Sequence, residues 1–267
     1  MGFRLELIHE AAKGARRKLA PLLFVHGAFC TALCWQARFM PWLAEHGVES
    51  WALSLTGHGG SDGHERHNML GIDDYVDDVA SVLGHLPAPP VVIAHSMGGF
   101  VVQRLLHRIS LPGLALLAPV PAHGLAGSTV QLLTQAPDLL FKLNLYQHGL
   151  YRLDIDELRR LLFSSGTNDE VIMLLAEQAQ PESLLAIMDM SLSGLLPPTP
   201  LNPPPTLILG AGNDALIPHH DIVFTARRFG RQAEFLPGLG HMMMLDMHWE
   251  AVVQRLFNWL LDEFDRK

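Results

Sequence analysis

Short apolar runs that end in glycine or proline alternate with stretches of helical spacing along most of this chain, and that rhythm is the strongest constraint on its fold. "LAPLLFVHG" (19–27) is a continuous apolar run closed by Gly27, as a strand buried on both faces would be. "ALCWQARFMPWLAEHG" (32–47) has helical spacing and stops at Gly47. "VESWALSL" (48–55) reads as a second buried strand. "IDDYVDDVASVLGHL" (72–86) is an amphipathic helix with Asp73 and Asp74 in its first turn, where they complement the macrodipole. "VVIA" (91–94) is a short buried strand, and Phe100, Val101, Leu105 and Ile109 make "MGGFVVQRLLHRI" (97–109) a helix. "LPGLALLAP" (111–119) is the next strand. "FRLELIH" (3–9) alternates apolar and polar residues, as an edge strand does. Alternation of this kind specifies an α/β fold: a mostly parallel, doubly wound sheet with helices on both faces.

After Pro121 the rhythm breaks. As far as about Leu196 there are only leucine-rich helical segments, such as "STVQLLTQAPDLLFKL", "DIDELRRLLFSS", "NDEVIMLLAEQA" and "PESLLAIMDMSL". "PPTPLNPPP" then punctuates the chain. The strand-and-loop rhythm resumes with "TLILGAGNDALIP", "DIVFTARRFG" and "QAEFLPGLGH", and "HWEAVVQRLFNWLLDEF" is a final helix. The expected organisation is a sheet domain in two parts, 1–120 and 200–267, interrupted by a helical insertion over 121–199.

Bulk properties narrow the function. At 267 residues and 49% apolar content, the chain is large enough for a substantial core, burying roughly 75% of its unfolded surface. A net charge of −8 with no basic face argues against nucleic-acid partners. "KGARRK" (13–18) reads as a basic loop. The N-terminus lacks the apolar core of a secretory signal. No apolar run approaches the roughly 20 residues of a membrane span. Cys30 and Cys34 form no disulfide framework and suit a reducing cytoplasm.

Two serines compete for attention. Ser61, in "GHGGSDG" (57–63), matches G-x-S-x-G literally; Ser96, in "VVIAHSMGGF" (91–100), has Ala94 in place of the first glycine. A nucleophile elbow needs a strand to deliver the serine, a helix that starts at once, and small residues two positions away on each side. Ser96 has all three: "VVIA" before it, a helix from Met97, and Ala94 and Gly98 as its neighbours. Around Ser61 the strand ends near Leu55 and helical periodicity begins only near Ile72, so its glycines describe a turn.

Serine needs a general base, and the base needs an orienting acid. Asp214 follows the strand "TLILG" and His241 follows the strand "AEFLP". Both fall at carboxyl ends of strands, where open α/β sheets gather their functional groups. The order Ser96, Asp214, His241 is the one this fold class uses. Asp221 and Asp246 are weaker candidates for the acid, since Asp221 opens a helix and Asp246 lies beyond the histidine. An oxyanion hole would take the N–H of Met97, next after the nucleophile, and that of Ala28, where Gly27 lets the backbone approach. Phe29, Trp35 and Met242 are candidates for an apolar substrate pocket. His58, His64 and His67 lack a defined metal-ligand spacing, so neither metal nor cofactor is expected.

"VHGAF" (25–29), "LTGHGGSDG" (55–63), "AHSMGG" (94–99), "GAGNDALIP" (210–218) and "GLGHM" (238–242) together make the chain resemble the α/β-hydrolase superfamily. The resemblance implies an eight-stranded sheet, a helical cap after strand six, and "GHGGSDG" as a structural loop after strand four. Within the superfamily the chain is similar to carboxylesterases and their hydroxynitrile-lyase relatives. The lyases carry Thr at the position of Gly27 and Lys at that of Met242, so this chain sides with the esterases. The expectation is a serine hydrolase of small to medium hydrophobic esters. Carbon–carbon bond hydrolase, lactonase, thioesterase and acyltransferase are alternatives on the same triad, and a non-catalytic small-ligand receptor is a third.

Overall fold

The computed structural model describes residues 4–14, 17–192 and 203–265. The expected boundary at 199/200 lies outside these residues, as do parts of "KGARRK" and of the proline-rich stretch. In chain order the elements begin with β1 (Glu6–Glu10), β2 (Leu22–Val25), α1 (Leu33–Gln36), α2 (Phe39–Glu45) and β3 (Ser50–Ser54). Next come α3 (Ile72–His85), β4 (Val91–His95), α4 (Met97–Leu105) and β5 (Leu114–Leu117). Five helices follow without an intervening strand: α5 (Ala126–Gln135), α6 (Pro137–Gln147), α7 (Ile155–Leu162), α8 (Asp169–Gln178) and α9 (Leu184–Leu192). The chain returns through β6 (Thr206–Ala211), α10 (His219–Arg228), β7 (Glu234–Leu236) and α11 (Trp249–Phe264).

The strands form one sheet in the order β1-β3-β2-β4-β5-β6-β7. β1 pairs antiparallel with β3, and every other pairing is parallel. Alternate residues of the parallel strands enter two separate cores. Leu22, Phe24, Ile93, Ala115, Leu117 and Leu209 face one, and Leu23, Val25, Val92, Ala94, Leu116 and Ile208 face the other. Both faces are apolar because helices cover both, which is why these strands read as unbroken hydrophobic runs.

Three expectations change. The sheet has seven strands among the described residues rather than eight, because only β1 precedes the first parallel strand. The helical insertion therefore follows the fifth strand and the "GHGGSDG" loop the third. The helix expected over 32–47 is two, because Arg38 leaves the helical region at φ −143°. Pro41 then falls in the first turn of α2, where its missing N–H has no helical acceptor to lose.

Leu116, fully buried at the centre of β5, tests how far the sheet carries the fold. Leu116→Ala is expected to lower the free energy of unfolding by about 3–4 kcal/mol, read from the denaturant midpoint.

Candidate active site

β4 ends at His95 and α4 begins at Met97, so one residue, Ser96, makes the whole turn. Its backbone sits at φ 50°, ψ −117°, a sparsely populated region that costs about 1–3 kcal/mol and persists only where the surroundings fix it. Here the ladder fixes it: Ser96 N–H donates to Leu117 O at 3.1 Å, and the Ser96 carbonyl accepts from Val120 N–H at 3.0 Å. Gly98 explains how the helix starts so soon. A Cβ there would lie 2.5 Å from the His26 carbonyl oxygen and 2.8 Å from that of Val25. Only glycine lets α4 pass so close to the end of β2.

Asp214 follows β6 and His241 follows β7, each on the loop at the strand's carboxyl end. His241 Nδ1 lies 2.8 Å from Asp214 Oδ2 and His241 Nε2 lies 3.0 Å from Ser96 Oγ. An ionised carboxylate only accepts, so the proton is on Nδ1 and Nε2 is free to accept from the serine hydroxyl. The other oxygen of Asp214 accepts from the N–H groups of Leu216 and Ile217, at 2.8 and 2.9 Å, which fixes the carboxylate's direction. All three side chains are buried.

Gly27 brings the loop after β2 against this turn. A Cβ at Gly27 would lie 2.9 Å from Ser96 Cβ, so the backbone leading to Ala28 runs beside the serine. His26 holds that backbone from beneath. Its Nε2 accepts from Leu55 N–H at 3.0 Å, which leaves Nδ1–H to donate to the Gly27 carbonyl at 2.8 Å. Burial, reinforced by the nearby His58, holds the His26 imidazole down to about 3, so it stays neutral. Met97 is the first residue of α4, and an N–H at that position has no acceptor within its own helix.

The pocket candidates separate. Phe29 is half-buried, at φ 64°, with its ring 5.8 Å from that of Tyr146 on α6. Trp35 is fully buried among Phe24 and Phe39 in the core, and Met242 is buried with its sulfur 4.0 Å from Cys30 Sγ. Ser61 serves the fold instead. Its hydroxyl donates to the Ser54 carbonyl at 2.6 Å and accepts from Glu6 N–H at 2.8 Å, tying the edge strand to the glycine loop. Asp221 receives His123.

The helical insertion reaches all three site loops. Gln131 Nε2 donates to the Asp214 carbonyl at 2.9 Å. Met242 N–H donates to the Leu162 carbonyl at 2.8 Å, and Gln180 N–H to that of Phe29 at 3.4 Å. Asp246 braces the histidine loop, accepting from Gly240 N–H at 3.0 Å and from both the N–H and the hydroxyl of Ser164 at 2.7 Å. Its lone position beyond His241 hid this role in the sequence.

Glu182 was equally hidden. It lies more than 100 residues from His58, His67 and Tyr75 and joins the two histidines in a group whose ligand atoms fall within 4.8 Å of one another. Such a grouping suits a divalent metal; in this structure His58 and Glu182 bond to each other and to neighbouring groups, and the buried His67 Nδ1 has no hydrogen-bond partner. Glu182 accepts from Tyr75 Oη and Ser183 N–H at 2.7 Å and from His58 Nε2 at 3.1 Å. His67 Nε2 donates to the Pro181 carbonyl at 2.9 Å. His64 instead contacts the Gly59 carbonyl. Burial opposes charge on His58 and Glu182 alike. The Glu182 carboxylate nevertheless holds the His58 imidazole above its usual range. The His58 charge and the hydrogen bonds from His58, Ser183 and Tyr75 hold Glu182 below the usual carboxylate range.

A sequence profile of the alpha/beta hydrolase family matches residues 22–255, and the chain belongs to that family of hydrolases. A search of curated proteins returned no match. Among solved structures, the chain is similar to a thermophilic esterase from Thermogutta terrifontis (22% identity, 98% of this chain and 94% of that one, TM-score 0.75). It is also similar to Paleococcus ferrophilus monoacylglycerol lipase (16% identity, 98% and 100%, TM-score 0.70). A third is the enol-lactonase from Burkholderia xenovorans LB400 (15% identity, 97% and 96%, TM-score 0.67). No helix of the described residues is long and apolar enough to cross a membrane.

The buried pair His58–Glu182 has a readable pH signature. Glu182 contributes stability above its unfolded pKa of about 4.3 and loses it as the pH falls; His58 contributes below about 6.5 and loses it as the pH rises. The stability difference between the native chain and Glu182→Gln is therefore expected to peak between about pH 4.5 and 6.5 and to shrink on both sides. Denaturant midpoints across a pH series measure it; a difference that does not vary with pH contradicts an ionised pair.

Proposed function

We propose that the protein is a serine carboxylesterase acting on small to medium hydrophobic esters, with Ser96 as nucleophile, His241 as general base and Asp214 as its orienting acid. The supporting observation is the unbroken relay from Ser96 Oγ through both ring nitrogens of His241 to Asp214. In this reading His241 Nε2 takes the hydroxyl proton as Oγ attacks the acyl carbonyl. The carbonyl oxygen, now anionic, accepts from the N–H groups of Met97 and Ala28; each such donor is worth about 3–4 kcal/mol of barrier. Asp214 holds the imidazole in the required tautomer and stabilises the imidazolium. The tetrahedral intermediate collapses, the imidazolium protonates the departing alcohol, and an acyl-enzyme remains on Ser96. His241 then activates water, which releases the acid and restores the serine.

We read α5 to α9, within the span 121–199, as a cap on a core made of 1–120 and 200–267. Its contacts with all three site loops support that reading, and Phe29 with Tyr146 offers an aromatic wall for the acyl or alcohol group. Cys30 and Cys34 are both free and buried, which suits the cytoplasm. No step in the scheme requires a metal or cofactor. The similarity to an enol-lactonase gives lactones a place beside linear esters as test substrates.

Ser96→Ala is expected to abolish both ester turnover and labelling by a fluorophosphonate, and Asp214→Asn to lower kcat by on the order of 10⁴. A chain-length series of p-nitrophenyl esters, run beside thioesters and lactones, ranks the substrate classes. Labelling that survives Ser96→Ala refutes the nucleophile assignment.

A further inference from the structure

We propose that His95 is a positioning residue that fixes the general base relative to the nucleophile, an inference that rests on the roles given above to Ser96 and His241. His95 is the last residue of β4 and the immediate neighbour of Ser96. Its Nε2 lies 2.9 Å from the backbone carbonyl oxygen of His241, and its ring lies 4.7 Å from the His241 ring at 50°. A carbonyl only accepts, so Nε2 carries the proton and donates it.

The bond does more than satisfy a carbonyl. His241 O already accepts from Met243 N–H at 2.8 Å, a contact within its own loop. The His95 bond is the one that crosses from the nucleophile's strand to the base's loop. With the contact between Ser96 Oγ and His241 Nε2 at 3.0 Å, two adjacent residues of one strand end grip the same histidine at two points. One point is on its backbone and the other is on its ring.

The second nitrogen strengthens the inference. His95 Nδ1 is buried and has no hydrogen-bond partner, and it packs where a Cβ on Gly27 would come within 2.9 Å. An orphaned buried polar atom is unfavourable. A leucine or phenylalanine would fill the space without that cost, so simple packing gives no reason for an imidazole here. The Nε2 bond to the base does. Burial and the neighbouring His241 hold the His95 imidazole well below its usual range. The ring therefore stays neutral and adds no charge opposite the imidazolium that His241 becomes.

Three variants test this. Phenylalanine fills the space without a donor, glutamine places an N–H at about the reach of Nε2, and asparagine is polar but too short. His95→Phe and His95→Asn are expected to lower kcat by about 10- to 100-fold, with KM within about twofold and fluorophosphonate labelling slowed in proportion. His95→Gln is expected to recover kcat to within a few-fold of the native value. Should His95→Phe not fold, the comparison of Gln with Asn carries the test. Native kcat in folded His95→Asn overturns the inference, as does equal loss in Gln and Asn, or a rise in KM alone. If the native protein itself shows no labelling at Ser96, the parent reading fails; if it labels and His95→Asn is unaffected, only the role of His95 does.

Discussion

The close passage of α4 over the end of β2 is the constraint on which the rest of the structure depends. With no side chain at Gly98, the helix starts one residue after the strand stops, and Ser96 is left in a backbone conformation it would not choose alone. The sheet supplies the counterforce. β4 lies between β2 and β5, with Ala94 paired to Val25 on one side and Leu116 on the other, and the strand interiors are fully buried. A strained serine is tolerable there because relaxing it would require moving the centre of the molecule.

That same crowding makes the site legible in part. The strands could be read from the chain because helices cover both faces and leave unbroken apolar runs. Ser96 could be told from Ser61 because an elbow demands a strand and a helix at fixed distance, which the residues around Ser96 provide and those around Ser61 do not. Asp214 and His241 could be placed after the carboxyl ends of strands, but their mutual distance could not be read, since each hangs on a loop whose course depends on packing. The eighth strand came from likeness alone, and the described residues before β2 supply one strand, antiparallel to β3. The break between α1 and α2 turns on the backbone of Arg38, which periodicity does not register.

What stayed hidden were the long-range polar contacts. Glu182 meets His58 across 124 residues and Asp246 meets Ser164 across 82. A lone acid between elements carries no mark of its partner, because the pairing is created by how the insertion settles on the sheet. The same holds for Trp35 and Met242, whose apolar character suits a pocket wall and a core equally well; both are buried.

The insertion leaves from β5 and returns into β6, and these two strands are neighbours in the sheet. Because they are parallel, with Leu114 opposite Thr206 and Leu117 opposite Leu209, the chain leaves at the carboxyl end of one and re-enters at the amino end of the other. The segment between them is no loose appendage: Gln131, Leu162 and Ser164 bond to the loops that follow β6 and β7. Changing the insertion therefore means changing what holds those loops, so outer layer and strand ends are bound to vary together.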